Sequence, residues 1–203
     1  MLVLTTHSHP YMDMVDIYVN GSGGEKVKFN VHKHFMVSAS RYFRVMFTGS
    51  FLEATKKELD LDDRTDPETL AMLVNYIYRD EVETATGEEV SADGLIKLSL
   101  LADYVQMPKL VNLIFREIGS RDEFKPSGSL LEVLYSPDRE NCYMRRFVTE
   151  VFALSRHAIL DDHREFPNQM LLEVLIATRE FLFKKGGKFT HQRLCKFLVN
   201  EDI

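Results

Sequence analysis

Asp16-Ile17-Tyr18-Val19, then Asn20-Gly21-Ser22-Gly23-Gly24, then Val27-Lys28-Phe29-Asn30-Val31 is the stretch on which the fold turns. The first run is β-branched and aromatic, and the glycines after Asn20 punctuate the chain. The second run alternates strictly, which sets Val27, Phe29 and Val31 on one face. Together they predict a β-hairpin with Phe29 turned toward the core. Glu58-Leu59-Asp60-Leu61-Asp62 alternates again and predicts a third, acid-fringed strand.

Outward from these strands the period changes to that of a helix. Ser40 suits the cap of a short helix carrying Phe43, Met46 and Phe47. Asp66-Pro67 pairs a capping acid with proline at the first helical position. A stripe of Leu70, Leu73, Val74 and Ile77 follows it. Ser91 caps a helix with Leu95, Leu98, Ala102 and Val105 on its core side, and Pro108 opens one bearing Leu110, Val111, Ile114, Phe115 and Ile118. Lys125-Pro126-Ser127-Gly128 marks a boundary. Beyond it, Met144, Phe147, Val148, Val151, Phe152, Ser155 and Ile159 form one stripe, with Arg145, Arg146 and Arg156 largely off it. Leu171, Val174, Leu175, Thr178, Phe181 and Leu182 form another, closed by Lys184-Lys185 and a Gly186-Gly187 cap. A last short helix is predicted from Thr190 through Leu194, Phe197 and Leu198.

The chain has 203 residues, 45% hydrophobic and 28% charged, and a formal net charge of −6. From Glu58 to Asp93, twelve acidic residues stand against two basic ones, whereas residues 122–203 carry thirteen against twelve. A surface with the first balance repels phosphate backbones and anionic headgroups, so nucleic acid and membrane are not expected partners. No apolar run approaches the roughly 18 residues of a membrane helix. The first residues, Met1-Leu-Val-Leu-Thr-Thr-His7, do not read as a signal peptide, which makes the sequon at Asn20 a chance match. Cys142 and Cys195 form neither a disulfide framework nor a zinc spacing, and reduced intracellular thiols are expected.

Catalytic chemistry finds no foothold. Gly21-Ser-Gly-Gly-Glu-Lys26 fits neither a phosphate-binding loop nor a dinucleotide fingerprint and reads as a hairpin turn. His7-x-His9 and His32-x-His34 lack the convergent ligands of a metal site, so neither metal nor cofactor is expected. Both cysteines read as small packing residues. Phe43 and Phe47 read as core, while Phe51, between Gly49-Ser50 and Glu53, is a candidate for exposure.

Asp16-x-x-Val19, Phe29-Asn-Val-His32-Lys33, Ser40-x-x-Phe43, Met46-Phe47, Phe51-x-Glu53, Leu59-x-Leu61, Tyr76-Ile-Tyr78 and Leu101-Ala-Asp103-Tyr-Val-Gln-Met-Pro-x-Leu110 occur in that order. Jointly they resemble a BTB/POZ domain across about half of the chain. Leu134-Tyr135-x-Pro137 and the Met144-Arg145 helix look like the helical tails of fungal BTB proteins. The resemblance implies an α+β fold: a three-stranded sheet capped by helical hairpins over residues 14–121. An all-helical region, 126–203, would follow, docked on that core.

It also implies a non-enzymatic protein-interaction module, cytoplasmic or nuclear, whose partner is another protein. Asp16, His32, Ser40, Phe43 and Tyr78 fall on structural positions of the family, and Phe51, Glu53, Leu95 and Lys97 are the candidate interaction patch. Neither the zinc fingers nor the kelch repeats of many relatives are present. Cullin-binding relatives carry an apolar-x-acidic signal near the fourth helix, where this chain reads Leu95-Ile96-Lys97, with the wrong charge. That places a cullin-RING ubiquitin-ligase adaptor second. Many relatives dimerise through an N-terminal helix and strand. Here Pro10 breaks any helix crossing it, and Leu2-Val3-Leu4 offers little surface, so a monomer or weak homodimer is expected.

Overall fold

The computed structural model describes residues 12–62, 64–84, 86–121, 123–154 and 166–183. Strands β1 (Met14–Asn20) and β2 (Lys26–His32) pair antiparallel, with Ile17 opposite Phe29 and Val19 opposite Val27. In the turn between them Gly21 N–H donates to the Glu25 carbonyl at 2.8 Å. Gly24 adopts φ +81°, a conformation that side chains resist. Strand β3 (Glu58–Asp60) runs parallel to β1 on its other edge, giving the order β2-β1-β3. Asp16 N–H donates to the Lys57 carbonyl, and Leu61 N–H to that of Tyr18, extending the pairing at both ends.

Alternation on β1 buries Val15, Ile17 and Val19, and Val31, Leu59 and Leu61 are buried beside them in sequence register. On β2 the alternation holds but its inward residues differ in depth. Val31 is buried, whereas Val27 and Phe29 are only half-buried. Phe29 thus faces inward as expected without being a full core residue.

Six helices come next in the chain, three before β3 and three after it: α1 (Lys33–Ala39), α2 (Arg41–Thr48), α3 (Leu52–Lys56), α4 (Pro67–Arg79), α5 (Ala92–Tyr104) and α6 (Pro108–Ser120). Their caps are those the sequence signals. Ser40 Oγ accepts from Phe43 N–H at 3.1 Å, Asp66 Oδ1 from Thr69 N–H at 2.8 Å and Ser91 Oγ from Gly94 N–H at 3.1 Å. The buried face of α4 is Thr69, Leu70, Met72, Leu73 and Tyr76. Val74 and Ile77, assigned to that face from spacing, are half-buried, because Met72 and Tyr76 swing the stripe toward themselves.

Three further helices follow: α7 (Gly128–Leu134), α8 (Tyr143–Leu154) and α9 (Asn168–Phe183). Ser127, inside the expected boundary segment, caps α7, and its own N–H donates to Asp93 Oδ1 at 2.7 Å. Among the described residues the chain forms two compact units, 12–89 with 101–107, and 90–100 with 108–183. In the second, Phe115 of α6 stacks on Phe147 of α8 with ring centroids 4.4 Å apart and planes 8° from parallel.

Arg145 departs from the sequence reading. Expected off the apolar stripe, it is 2% exposed and makes an ion pair with Glu173 of α9. Its Nη1 donates to the Ser136 carbonyl at 2.9 Å, and its guanidinium lies 5.0 Å from the centre of the Tyr135 ring. The Tyr135 hydroxyl lies 2.7 Å from Thr149 Oγ1. A charge buried this deeply is tolerated because a carboxylate, a carbonyl and a ring face take up its donors and its field. Leu175 also departs, being 66% exposed, while Met170 and Val174 carry the buried side of α9. Ser155, Ile159, the Gly186-Gly187 cap and the helix expected from Thr190 lie outside the described residues, as do His7, His9, Pro10 and Cys195.

Candidate protein-interaction surface

The family-motif positions serve the fold of the first unit. Asp16, on the outer face of β1, accepts from Asn30 Nδ2 at 2.6 Å and pairs with Lys28 across the hairpin. The Asn30 bond, with Lys28, holds its carboxyl below the ordinary carboxylate range. Ser40 does double duty, capping α2 and donating its hydroxyl proton to the Val105 carbonyl. Phe43 is wholly buried and stacks on Phe47. Tyr78 Oη takes the N–H of His32 at 3.0 Å and lies 2.6 Å from the same residue's Nδ1, which ties α4 to the β2–α1 junction. His32 is committed to that tie, and no group of three metal-ligating side chains comes together among the described residues.

The interaction-patch residues separate. Leu95 is wholly buried, as is Ile96, so Leu95 belongs to the core and offers nothing to a partner. The helical spacing already sets Leu95 on the core side of α5 with Leu98 and Ala102, and its place in the patch came from the family alignment alone. Lys97 is exposed, in the second unit with Leu95. Of the Leu95-Ile96-Lys97 triplet only Lys97 is presented at the surface.

Phe51 and Glu53 are surface features of the first unit, and the structure adds neighbours to them. Phe51, at the N-cap of α3, is 50% exposed, Leu52 71% and Val45 46%. The Phe51 ring lies against Gly49, where an added Cβ would sit 3.3 Å from it, so the chain folds the phenylalanine back over the end of α2. One turn before Val45 on α2, Tyr42 packs its ring 5.2 Å from that of Tyr104, with the two hydroxyls 3.4 Å apart. The Arg64 guanidinium sits over the Tyr104 ring at 5.1 Å. Burial, the Tyr104 hydroxyl and the charge of Glu53 push the Tyr42 phenol well up, so it remains a neutral donor throughout the physiological range.

The α2–α3 segment thus carries exposed aromatic and aliphatic side chains, with Arg64 and Glu53 among the charges near them. Exposed apolar clusters with charged edges are the usual composition of a protein-docking surface. Tyr42, Tyr104 and Arg64 went unmarked in the sequence because they come from three separate segments that only the fold assembles. Cation–π pairing has no sequence period.

Residues 7–120 match the family model described as BTB/POZ domain. The chain belongs to the BTB/POZ family. Its module over those residues is a protein–protein interaction domain of BTB/POZ type. Curated relatives include Kelch-like protein 40 of Xenopus laevis, 41% identical over 56 residues, which are 28% of this chain and 9% of that protein. Human Kelch-like protein 38 is 35% identical over 79 residues, 39% of this chain and 12% of the relative. Human Kelch-like protein 3 is 37% identical over 59 residues, 29% and 10%. The matched stretch therefore spans about a tenth of each relative's length. A solved structure, the BTB domain of zebrafish PATZ1, is alike over 53% of this chain and 77% of its own, with 17% identity and a TM-score of 0.39. The family membership stands without it. No helix among the described residues is long and apolar enough to cross a membrane.

Proposed function

We propose that this BTB/POZ protein works as a non-enzymatic scaffold that holds a partner protein on the Tyr42–Val45–Phe51–Leu52–Tyr104 face. The exposure of Phe51 and Leu52 beside the Tyr42–Tyr104–Arg64 cluster carries this reading. Such a face fits an amphipathic helix or apolar strand with a few large anchors. The unpaired spacing of its cysteines and the acidic 58–93 block support an intracellular site, cytoplasmic or nuclear, with no nucleic-acid or membrane partner. The helical region 126–203, of the kind fungal BTB proteins carry, is proposed to dock on the domain. The Phe115–Phe147 stack supports that arrangement.

Affinity purification from cells of the source organism, using the wild type and a Phe51→Ser, Leu52→Asp variant, tests the reading. Proteins retained by the first and lost from the second, at unchanged melting temperature, are expected. Identical sets would refute the assignment of the face.

A second reading, adaptor of a cullin-RING ubiquitin ligase, is favoured by one feature. Phe51-Leu52-Glu53 is an apolar-x-acidic triplet at a helix start, with Phe51 and Leu52 exposed and Glu53 half-buried. Calorimetry against a panel of cullin N-terminal domains separates the two. Submicromolar binding that Glu53→Lys abolishes establishes the adaptor, and its absence leaves the scaffold. The protein is proposed to be a monomer, or a dimer weaker than micromolar, and a clean dimer in ultracentrifugation at a few micromolar would contradict this.

A further inference from the structure

Strand β2 is an edge of the sheet, and the phase of its hydrogen bonds is fixed at both ends. Gly21 N–H donates to the Glu25 carbonyl and Lys33 N–H to that of Asp13, at 2.8 Å each. In the register that sets Ile17 opposite Phe29, the bonded positions of β2 are therefore the odd-numbered ones. The N–H and C=O groups of Lys26, Lys28 and Asn30 point the other way, where no strand follows among the described residues. His32 shares their phase, and its N–H goes to Tyr78 Oη at 3.0 Å, which closes the edge at that end. Lys26, Lys28 and Asn30 are exposed, and among the described residues no backbone hydrogen bond outside the ladder uses them.

An unpaired edge of this kind is a template for an extended segment. The pleat sets what such a segment meets on each face. On the inner face Val27 and Phe29 are only half-buried, although Val19 and Ile17 opposite them on β1 are buried. On the outer face each edge lysine leans back toward acids of the sheet. Lys26 pairs with Asp60 of β3 and, at 2.8 Å, with Asp62, while Lys28 reaches Asp16 of β1 at 3.4 Å. Both lysine side chains stay half-exposed. Opposite charges on neighbouring strands attract and like charges repel. From β3 to β2 the outer face runs acid, acid, lysine, and the place beyond the lysines favours a further acid. The β2 strand of a second copy, laid antiparallel about Lys28, would set lysine against lysine.

We infer that the Lys26–Asn30 edge of β2 receives an extended segment of a partner protein as a fourth strand, its apolar residues turned inward beside Val27 and Phe29 and its acidic residues turned outward beside Lys26 and Lys28. Main-chain hydrogen bonds hold the segment, and its alternate side chains select it. Lysines on a sheet edge discourage indiscriminate pairing. Here they turn away basic strands and admit an acidic one. The edge shares no residue with the Phe51–Leu52 segment, so the two surfaces stand independently.

Amide NMR of the full-length chain tests this, with a peptide alternating valine and glutamate, blocked at both termini, as the probe. Peptide at up to about 1 mM should shift the amides of Lys26, Lys28 and Asn30 saturably and slow their hydrogen exchange by about tenfold. The counterpart alternating valine and lysine should bind at least about tenfold more weakly. N-methylation of the glutamate peptide on its edge-facing amides leaves the protein untouched and should abolish binding. Lys28→Pro should abolish it too, because the Lys28 N–H takes no part in the β1 ladder and proline is tolerated on an edge strand. The Phe51→Ser, Leu52→Asp variant should bind the peptide as the wild type does. Absence of a saturable shift at the three amides overturns the inference, as does equal binding of the lysine peptide or of the N-methylated one. Self-association of the chain without peptide, removed by Lys28→Pro, would assign the edge to a second copy and overturn it as well.

Discussion

Ser40 shows how much of this domain rests on single polar groups: one buried hydroxyl caps α2 and also donates to the Val105 carbonyl beyond α5. Ser40→Ala should cost about 1–3 kcal/mol, the sum of a lost cap and an orphaned buried acceptor. Ser38→Ala, on the exposed side of α1, should cost almost nothing. Urea denaturation of the two variants checks both values, and equal midpoints would remove Ser40 from its role. Depth of burial makes a second comparison. Phe43→Ala should cost about 3–5 kcal/mol, the scale of a fully buried phenylalanine, and Phe29→Ala clearly less, since Phe29 is only half-buried. Equal losses would mean that the hairpin is more deeply covered than it is here. Caps are legible in sequence because the residue type, the offset and the chemistry coincide, as at Ser40, Asp66 and Ser91. Arg145 was misread for a simple reason. Periodicity reports which residues share a face and does not say whether a neighbouring helix covers it.

Between α8 and α9 the decisive contact is ionic. Burial alone would raise the Glu173 carboxyl. The hydrogen bonds from Arg145 and Gln169 outweigh that and hold it below its ordinary 4.5. A carboxylate depressed in the folded state contributes stability above its unfolded pKa and loses it as the pH falls through the folded value. Glu173→Gln should therefore destabilise at neutral pH by about 3–5 kcal/mol, because it leaves the Arg145 charge buried without a counterion. The gap to wild type should narrow as the pH drops below 4.5. Thermal melts at pH 7 and pH 3.5 measure it, and a gap that stays constant would show that the pair adds no charge-specific stability. Among the elements, the hairpin, β3, α4, α5, α6, α8 and α9 were readable from pattern. The short helices α1, α3 and α7 were not, because five to seven residues make too few turns for a period to declare itself. Helix α3 is closed by Lys57 at φ 59°, a stop that no glycine announces.

At the scale of the molecule, α6 lies within the BTB/POZ match and yet clusters with α7, α8 and α9. If the Phe115–Phe147 stack joins the C-terminal helices to it, a double-mutant cycle with alanine at both positions should return a coupling of about 0.5–1.5 kcal/mol. A coupling near zero, read from denaturation curves of the four proteins, would make the stack incidental. The order β2-β1-β3 has its own outcome in time. Asn20 and Lys26 are neighbours across a tight turn, whereas Ile17 meets Leu59 only after 42 intervening steps of chain. Closing the longer loop costs about 1.7 kcal/mol more in chain entropy, so the local hairpin has every reason to form first. The parallel strand then arrives late, after the transition state, and interactions made there act on escape from the native state and leave the approach to it unchanged. Leu59→Ala should accordingly leave the folding arm of a chevron plot nearly in place and steepen the protein's loss through faster unfolding. The lifetime of the folded domain would thus be set by its shortest strand.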